Sequence, residues 1–414
     1  MVLLKKQLFL LIFLFFKYNS AERIDLESYA SGFDSIPVAV VKFRSLNKVE
    51  LKVNFPWKII ADDLEFTGRF NVTRYLAYDS LELANKRIGI FIDGEYTIED
   101  NDIILECYFH DATNMDLIAG KRYRGPIKYI RRMAHRYSNK IFDMLLGEKG
   151  PFESKILYVE DRGRRKNLII MDYDGYNQKM IQKKSIVNIF PAFLDSSNLI
   201  WTSYIRGKPD IYRGAIYNSA FSIFLYSRYV ETSPAVSSVI NKIAYASSKR
   251  GNLDIYICDF DGKNRKQLTF TRGIDTSPSW SPNGYHIAFT SDRSGQPQIY
   301  IMDIEGANTR RITFKGAYHD SPAWSPKGDL IAYSSLRNGK FDIWVTRPDG
   351  ANARQITTKS GNNEYPTWSP DGSHIAFASG WGGKSNIYCV QPDGTGLKQI
   401  TQSGKAKMPD WSSF

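Results

Sequence analysis

Cysteine is scarce in this 414-residue chain: Cys107, Cys258 and Cys389 are an odd number at spacings that match no metal-ligand pattern. That argues against a disulfide framework and a cysteine-built metal centre, and leaves all three as small buried hydrophobes. No cysteine follows the apolar run Leu8–Phe16, so bacterial lipidation is not indicated. The run is also too short to span a bilayer comfortably. With Lys5 and Lys6 before it and Ser20-Ala21 after it, residues 1–21 read as an export signal; an uncleaved anchor is the alternative. The mature chain then carries no transmembrane segment. Nucleophile motifs are missing too: no G-x-S-x-G occurs, and no segment of α/β-hydrolase size is left over. The net charge of +12, or +9 without Lys5, Lys6 and Lys17 of the signal, is moderately basic. No basic stripe interleaved with aromatics argues for nucleic acid, so the charge favours an acidic partner or an anionic surface.

What the chain has in abundance is repetition. A proline precedes an aromatic or apolar residue by two positions at Pro191/Phe193, Pro234/Val236, Pro278/Trp280, Pro322/Trp324, Pro366/Trp368 and Pro409/Trp411, with spacings of 43, 44, 44, 44 and 43. Turn pairs keep the same beat at Asp174-Gly175, Tyr217-Asn218, Asp261-Gly262, Glu305-Gly306, Asp349-Gly350 and Asp393-Gly394. In the unit at Pro278, four short runs rich in β-branched and aromatic residues alternate with turns such as Pro282-Asn283-Gly284. A period in the low forties built of four strands predicts a six-bladed all-β propeller over residues 155–414. One four-stranded sheet cannot bury both its faces alone, so each Trp is expected between neighbouring blades. The chain enters at Lys155-Ile156-Leu157-Tyr158, which looks like a second strand, and leaves at Met408-Pro409-Asp410-Trp411, which looks like a first. The C-terminal strand therefore closes the ring.

Residues 22–147 show no repeat and read as a small α/β domain, with 148–154 as the linker. Ile36–Val41 is a near-continuous apolar run, as in a strand buried on both faces. Trp57, Ile60 and Leu64 recur at helical spacing between Pro56 and Gly68. Further strands are expected at Ile88–Ile92, Ile103–Phe109 and Leu117–Arg124. The longest helix is expected at Ile127–Leu146, with Ile127, Ile130, Ala134, Tyr137, Ile141 and Leu145 inward and Arg131, Arg132, Arg136 and Lys140 mostly on a solvated side.

The signal, the α/β domain and six units with the W-S-P-[DN]-G and I-A-[FY]-x-S signatures together resemble the TolB family, periplasmic propeller proteins of the Tol–Pal system in Gram-negative bacteria. Ile36-Pro37-Val38-Ala39-Val40, Arg131-Arg132-Met133-Ala134-His135 and Gly147-Glu148-Lys149-Gly150-Pro151-Phe152 carry the likeness beyond the repeats. The resemblance implies a non-enzymatic periplasmic adaptor. It would bind the peptidoglycan-associated lipoprotein Pal at the channel mouth, and its N-terminal segment Glu22, Arg23, Ile24, Asp25 and Leu26 would engage TolA of the inner-membrane Tol complex. Outer-membrane integrity and cell division are the implied roles. The units at Pro191 and Pro234 depart from the pattern, lacking the Trp and the W-S-P-D-G turn.

In a propeller the loops before each proline crowd one end of the channel. Here they hold Glu231, Thr232 and Ser233; Asp275 and Thr276; His319 and Asp320; Glu364 and Tyr365; with Lys405 and Lys407 before the last proline. Four carboxylates at one opening would focus negative potential and suit a basic partner loop, or a hard cation such as Ca²⁺, with no cofactor otherwise required. The likeness to the family's Pal-contacting positions is best at Thr276, then Ser233. The plainer reading is that these side chains cap turns locally. His286 and His374 recur one residue before Ile-Ala-Phe and read as structural rather than metal-binding. His319 reads as a surface histidine at the mouth. A glycan-binding propeller, or a hydrolase using two mouth carboxylates, is the alternative function.

Overall fold

The computed structural model describes residues 35–182, 187–218, 220–358 and 361–413, so the expected signal and Glu22–Leu26 lie outside the described residues. Among the described residues, no helix is long and apolar enough to cross a membrane.

The N-terminal sheet is built on β1 (Ile36–Val41), whose six residues are all buried. It is flanked in parallel by β3 (Phe70–Tyr75) and β4 (Ile90–Glu99), and β2 (Arg44–Ser45) also pairs with β4. β5 (Asp102–Asp111) and β6 (Leu117–Pro126) continue the sheet antiparallel from β4. Val38 and Val40 of β1 face α1 (Pro56–Phe66) and α3 (Ile130–Leu146), while Ala39 and Val41 pack with Leu83 of α2 (Ser80–Asn85). Helix α1 starts with Pro56 in its first turn, where the missing N–H costs nothing, and the chain leaves it through Gly68 at φ +69°. Helix α3 begins after a 3₁₀ turn at Ile127–Tyr129 and ends on Gly147 at φ +65°.

Six four-stranded sheets follow, each antiparallel from strand to strand. Blade 1 joins Ala406–Trp411 to Lys155–Asp161, Lys166–Asp172 and Lys179–Gln182, so the C-terminal strand does close the ring. Blades 2 to 6 open with Asn188–Phe193, Glu231–Ser237, Asp275–Trp280, Tyr318–Trp324 and Asn363–Trp368. The tryptophans bind neighbouring blades as expected: Trp280 Nε1 donates to Ala235 O at 3.1 Å and Trp368 Nε1 to Ala323 O at 2.9 Å. Cys258 and Cys389 lie in third strands, and all three cysteines are buried and free.

The α/β domain is welded to blades 1 and 6. One core runs from Phe66 and Phe142 through Phe152 and Tyr173 to Trp411, and Phe66 stacks on His374 at 4.0 Å. Inside this seam lies a polar cluster. His135 Nδ1 meets both oxygens of Asp63 (3.0 and 2.9 Å), its Nε2 lies 3.5 Å from Asp174, and the Tyr173 hydroxyl donates to Asp63. Burial acts to lower the His135 pKa, but the two carboxylates overcome it and raise the value to about 10. Asp174 is pulled below the ordinary carboxylate range by His135 and Arg131, against the effect of burial. Arg131 corrects the sequence reading: rather than facing solvent, it pairs with Asp174 and lies 3.7 Å over the Tyr176 ring. The blade-1 turn covers the helix side that a wheel marks as exposed. His135, Asp172 and Asp174 lie close enough to hold a metal ion, but a protonated imidazole offers no lone pair to one.

Candidate functional site

Each first strand carries a bulge just before its proline, for example between Thr232 and Ala235 and between Asp320 and Ala323. The residue preceding the proline takes a positive φ in all six blades: Phe190 (+49°), Ser233 (+52°), Ser277 (+50°), Ser321 (+53°), Tyr365 (+58°) and Met408 (+49°). These six, with their prolines, line a constriction of about 140 Å³ on the channel axis. A wider cavity of about 530 Å³ opens toward the other end, lined by residues after the prolines such as Phe193, Trp280 and Ser325. A non-glycine residue at positive φ is uncommon. Six in phase make it part of the architecture, with the extra bulge residue aimed at the axis.

The bulge decides where the expected site residues go. Side chains alternate along a strand, so residues three before the proline turn into the sheets and away from the opening. Glu231 is buried and accepts from Ser227 Oγ at 2.7 Å, with its pKa raised by burial. Asp275 is buried against Arg293 at 2.9 Å. His319 is 2% exposed, edge-on to Tyr333, and burial pushes its pKa down to about 4, so it stays neutral near pH 7. The expected four-carboxylate mouth is therefore corrected to two, and His319 is no surface histidine. Asp320 accepts from Thr290 Oγ1 (2.8 Å) and from the Ser321 amide (2.6 Å). Glu364, raised by burial, also feels Asp320 and the opposing Lys407. Thr232 is buried beside Thr202 at 3.4 Å, Thr276 is half-buried, and Ser233 and Tyr365 line the constriction. Lys407 pairs with Asp161 at 3.1 Å. Phe190, Ser277, Ser321 and Met408 also line it, and their place before each repeated proline was the signal for them.

At the wide end, Asp410 accepts from the Phe193 amide of the next blade at 2.8 Å, and burial raises its pKa to about 7. A raised carboxyl contributes stability that is present below its ordinary value and lost as pH rises through 7. Asp410→Asn keeps the acceptor, so its Tm advantage over the parent is expected to grow from about pH 4 to about pH 7 and then level. Thermal melts at pH 4, 6 and 8 check this; a pH-independent difference would contradict it.

A closed six-bladed ring with a narrow mouth, and an α/β domain packed against its blades 1 and 6, define the class: a two-part propeller protein. A family model described as TolB beta propeller domain matches residues 142–414, and the chain belongs to that family. It is 33% identical over 195 residues to the Tol-Pal system protein TolB of Desulfosudis oleivorans, covering 43% of this chain and 44% of that one. To the TolB homolog of Chlorobaculum tepidum it is 33% identical over 219 residues, covering 50% and 49%. The chain thus spans about half the length of the curated relatives it matches. The crystal structure of TolB from Acinetobacter baumannii shares the fold, with a TM-score of 0.78 at 22% identity over 92% of this chain and 97% of that one.

Proposed function

We propose that the protein is a non-enzymatic periplasmic adaptor that grips the lipoprotein Pal at the constricted mouth. Its N-terminal segment Glu22–Leu26 would engage TolA, and the pairing would serve outer-membrane integrity and cell division. The observation that carries this reading is the recessed ring of Phe190, Ser233, Ser277, Ser321, Tyr365 and Met408 in a propeller of the TolB family. A glycosidase would need Asp320 and Glu364 open to a sugar ring. Asp320 is already engaged by Thr290 and Ser321, which favours the adaptor.

Thr276→Arg or Asp320→Lys is expected to abolish Pal binding in titration calorimetry while leaving the circular dichroism melt cooperative. Unchanged affinity in both variants would remove the mouth as the site.

A further inference from the structure

Around the constriction, the loops between second and third strands and those linking successive blades share one face. At matching points of three consecutive blades this face exposes Tyr226 (51%), Phe270 (65%) and Phe314 (69%), each 44 residues after the last. An arginine lies over each ring: Arg206 over Tyr226 at 4.3 Å, Arg250 over Phe270 at 5.7 Å and Arg311 over Phe314 at 5.4 Å. Arg206 and Arg250 are themselves repeat-phased, 44 residues apart, and continue as Arg293 and Arg337. Arg293 is neutralised by Asp275, but Arg206, Arg250 and Arg337 have no ion pair among the described residues. Arg228 and Arg272 add charge in the blade-linking loops. Among the described residues of blades 2 to 5, the half-buried carboxylates at this end are Asp292, which accepts from the Ile274 amide at 2.6 Å, Asp320, held by Thr290 and Ser321, and Asp342, held by Thr357 and Asn363; Asp210 and Asp254 are buried. With Glu231 and Asp275 buried inside the sheets, the field at this rim is positive.

We infer that this arginine–aromatic crescent over blades 2 to 4 docks an acidic polypeptide segment bearing apolar side chains. The inference rests on the mouth being the partner face, and it gives the partner the charge opposite to that implied by the pre-proline carboxylates. An arginine laid on a ring has a held guanidinium plane with edges free to bind carboxylates bidentately, while the ring offers apolar contact. Arginine and aromatics together are what interface centres between proteins enrich. The pairs also flank one side of a recess, which admits a protruding chain and fits a flat lipid surface poorly.

The test uses a fluorescent Glu/Leu-rich peptide, its Lys/Leu counterpart and phosphatidylglycerol vesicles, with the full chain and the exposed-site variant Arg206→Glu/Arg250→Glu. Expected is binding of the acidic peptide alone, weakened about tenfold in the variant and also by raising salt from 0.05 to about 0.3 M. Equal binding of both peptides, no loss in the variant, or binding to vesicles only would overturn it. Pal binding separates the two readings. If Thr276→Arg abolishes it and Arg206→Glu/Arg250→Glu leaves it intact, the adaptor stands and the crescent falls. If Pal never binds but the acidic peptide does as expected, the crescent stands and the adaptor falls.

Discussion

Replacing Asp63 by Asn is expected to split unfolding into two transitions and to lower stability by roughly 3–5 kcal/mol, the usual result of removing one partner from a buried pair. His135 would be left protonated in the seam with half its countercharge gone, and the Tyr173 hydroxyl would lose an ionised acceptor. The seam holds the α/β domain to blades 1 and 6, so its loss separates two units that otherwise share one core. The pH dependence gives a second readout. His135 has a folded pKa of about 10, above the ordinary histidine value. Its contribution is fully present below pH ~6.5 and drains away as pH rises through about 10. Urea unfolding of the parent should therefore weaken from pH 7 to pH 9.5, and Asp63→Asn should flatten that slope. Parallel slopes in the two proteins would show that His135 is not the group responsible.

The propeller was legible because its signals repeat: a proline before a bulge and a turn pair before each outer strand reinforce one another over six units. The α/β domain was legible where one face of a segment is wholly apolar, as in Ile36–Val41 and along α3. Short elements escaped. Phe70–Tyr75 carries polar residues at its centre, and α2 is held by its tertiary neighbours rather than by a strong apolar stripe. Arg131 was misplaced because its cover, Asp174 and Tyr176, comes from more than forty residues downstream, which no helical wheel contains. The mouth was half-legible for a sharper reason. Sequence identifies the loop before each proline, but the bulge sets which of three successive residues reaches the axis. Glu231, Asp275 and His319 therefore went into the sheets, while the residue beside each proline took the opening. The rim was readable in principle, since Tyr226, Phe270 and Phe314 keep the repeat's own spacing.

Truncating the chain after Lys407 is expected to abolish the cooperative transition altogether. The lost segment holds most of the bonds that close the ring. Trp411 pairs with Ile156 and Asp410 with Leu157, and Ser412 exchanges two bonds with Lys155 at 2.9 Å. Asp410 reaches forward to the Phe193 amide of blade 2, and the Trp411 amide reaches back to Thr367 Oγ1 of blade 6 at 3.2 Å. One strand thus ties three blades. Trp411 is also buried in the core shared with the α/β domain, and its Nε1 donates to Ser154 Oγ at 2.8 Å. Trp411→Ala alone should cost roughly 3–5 kcal/mol through the cavity it leaves. Truncation adds to that an unpaired edge along Lys155–Tyr158, a template for pairing with other chains. Differential scanning calorimetry should show a broad, low-enthalpy transition, and light scattering should rise at concentrations where that of the parent does not. A transition as sharp as that of the full chain would mean that the ring is held by its inter-blade packing and not by this closing strand.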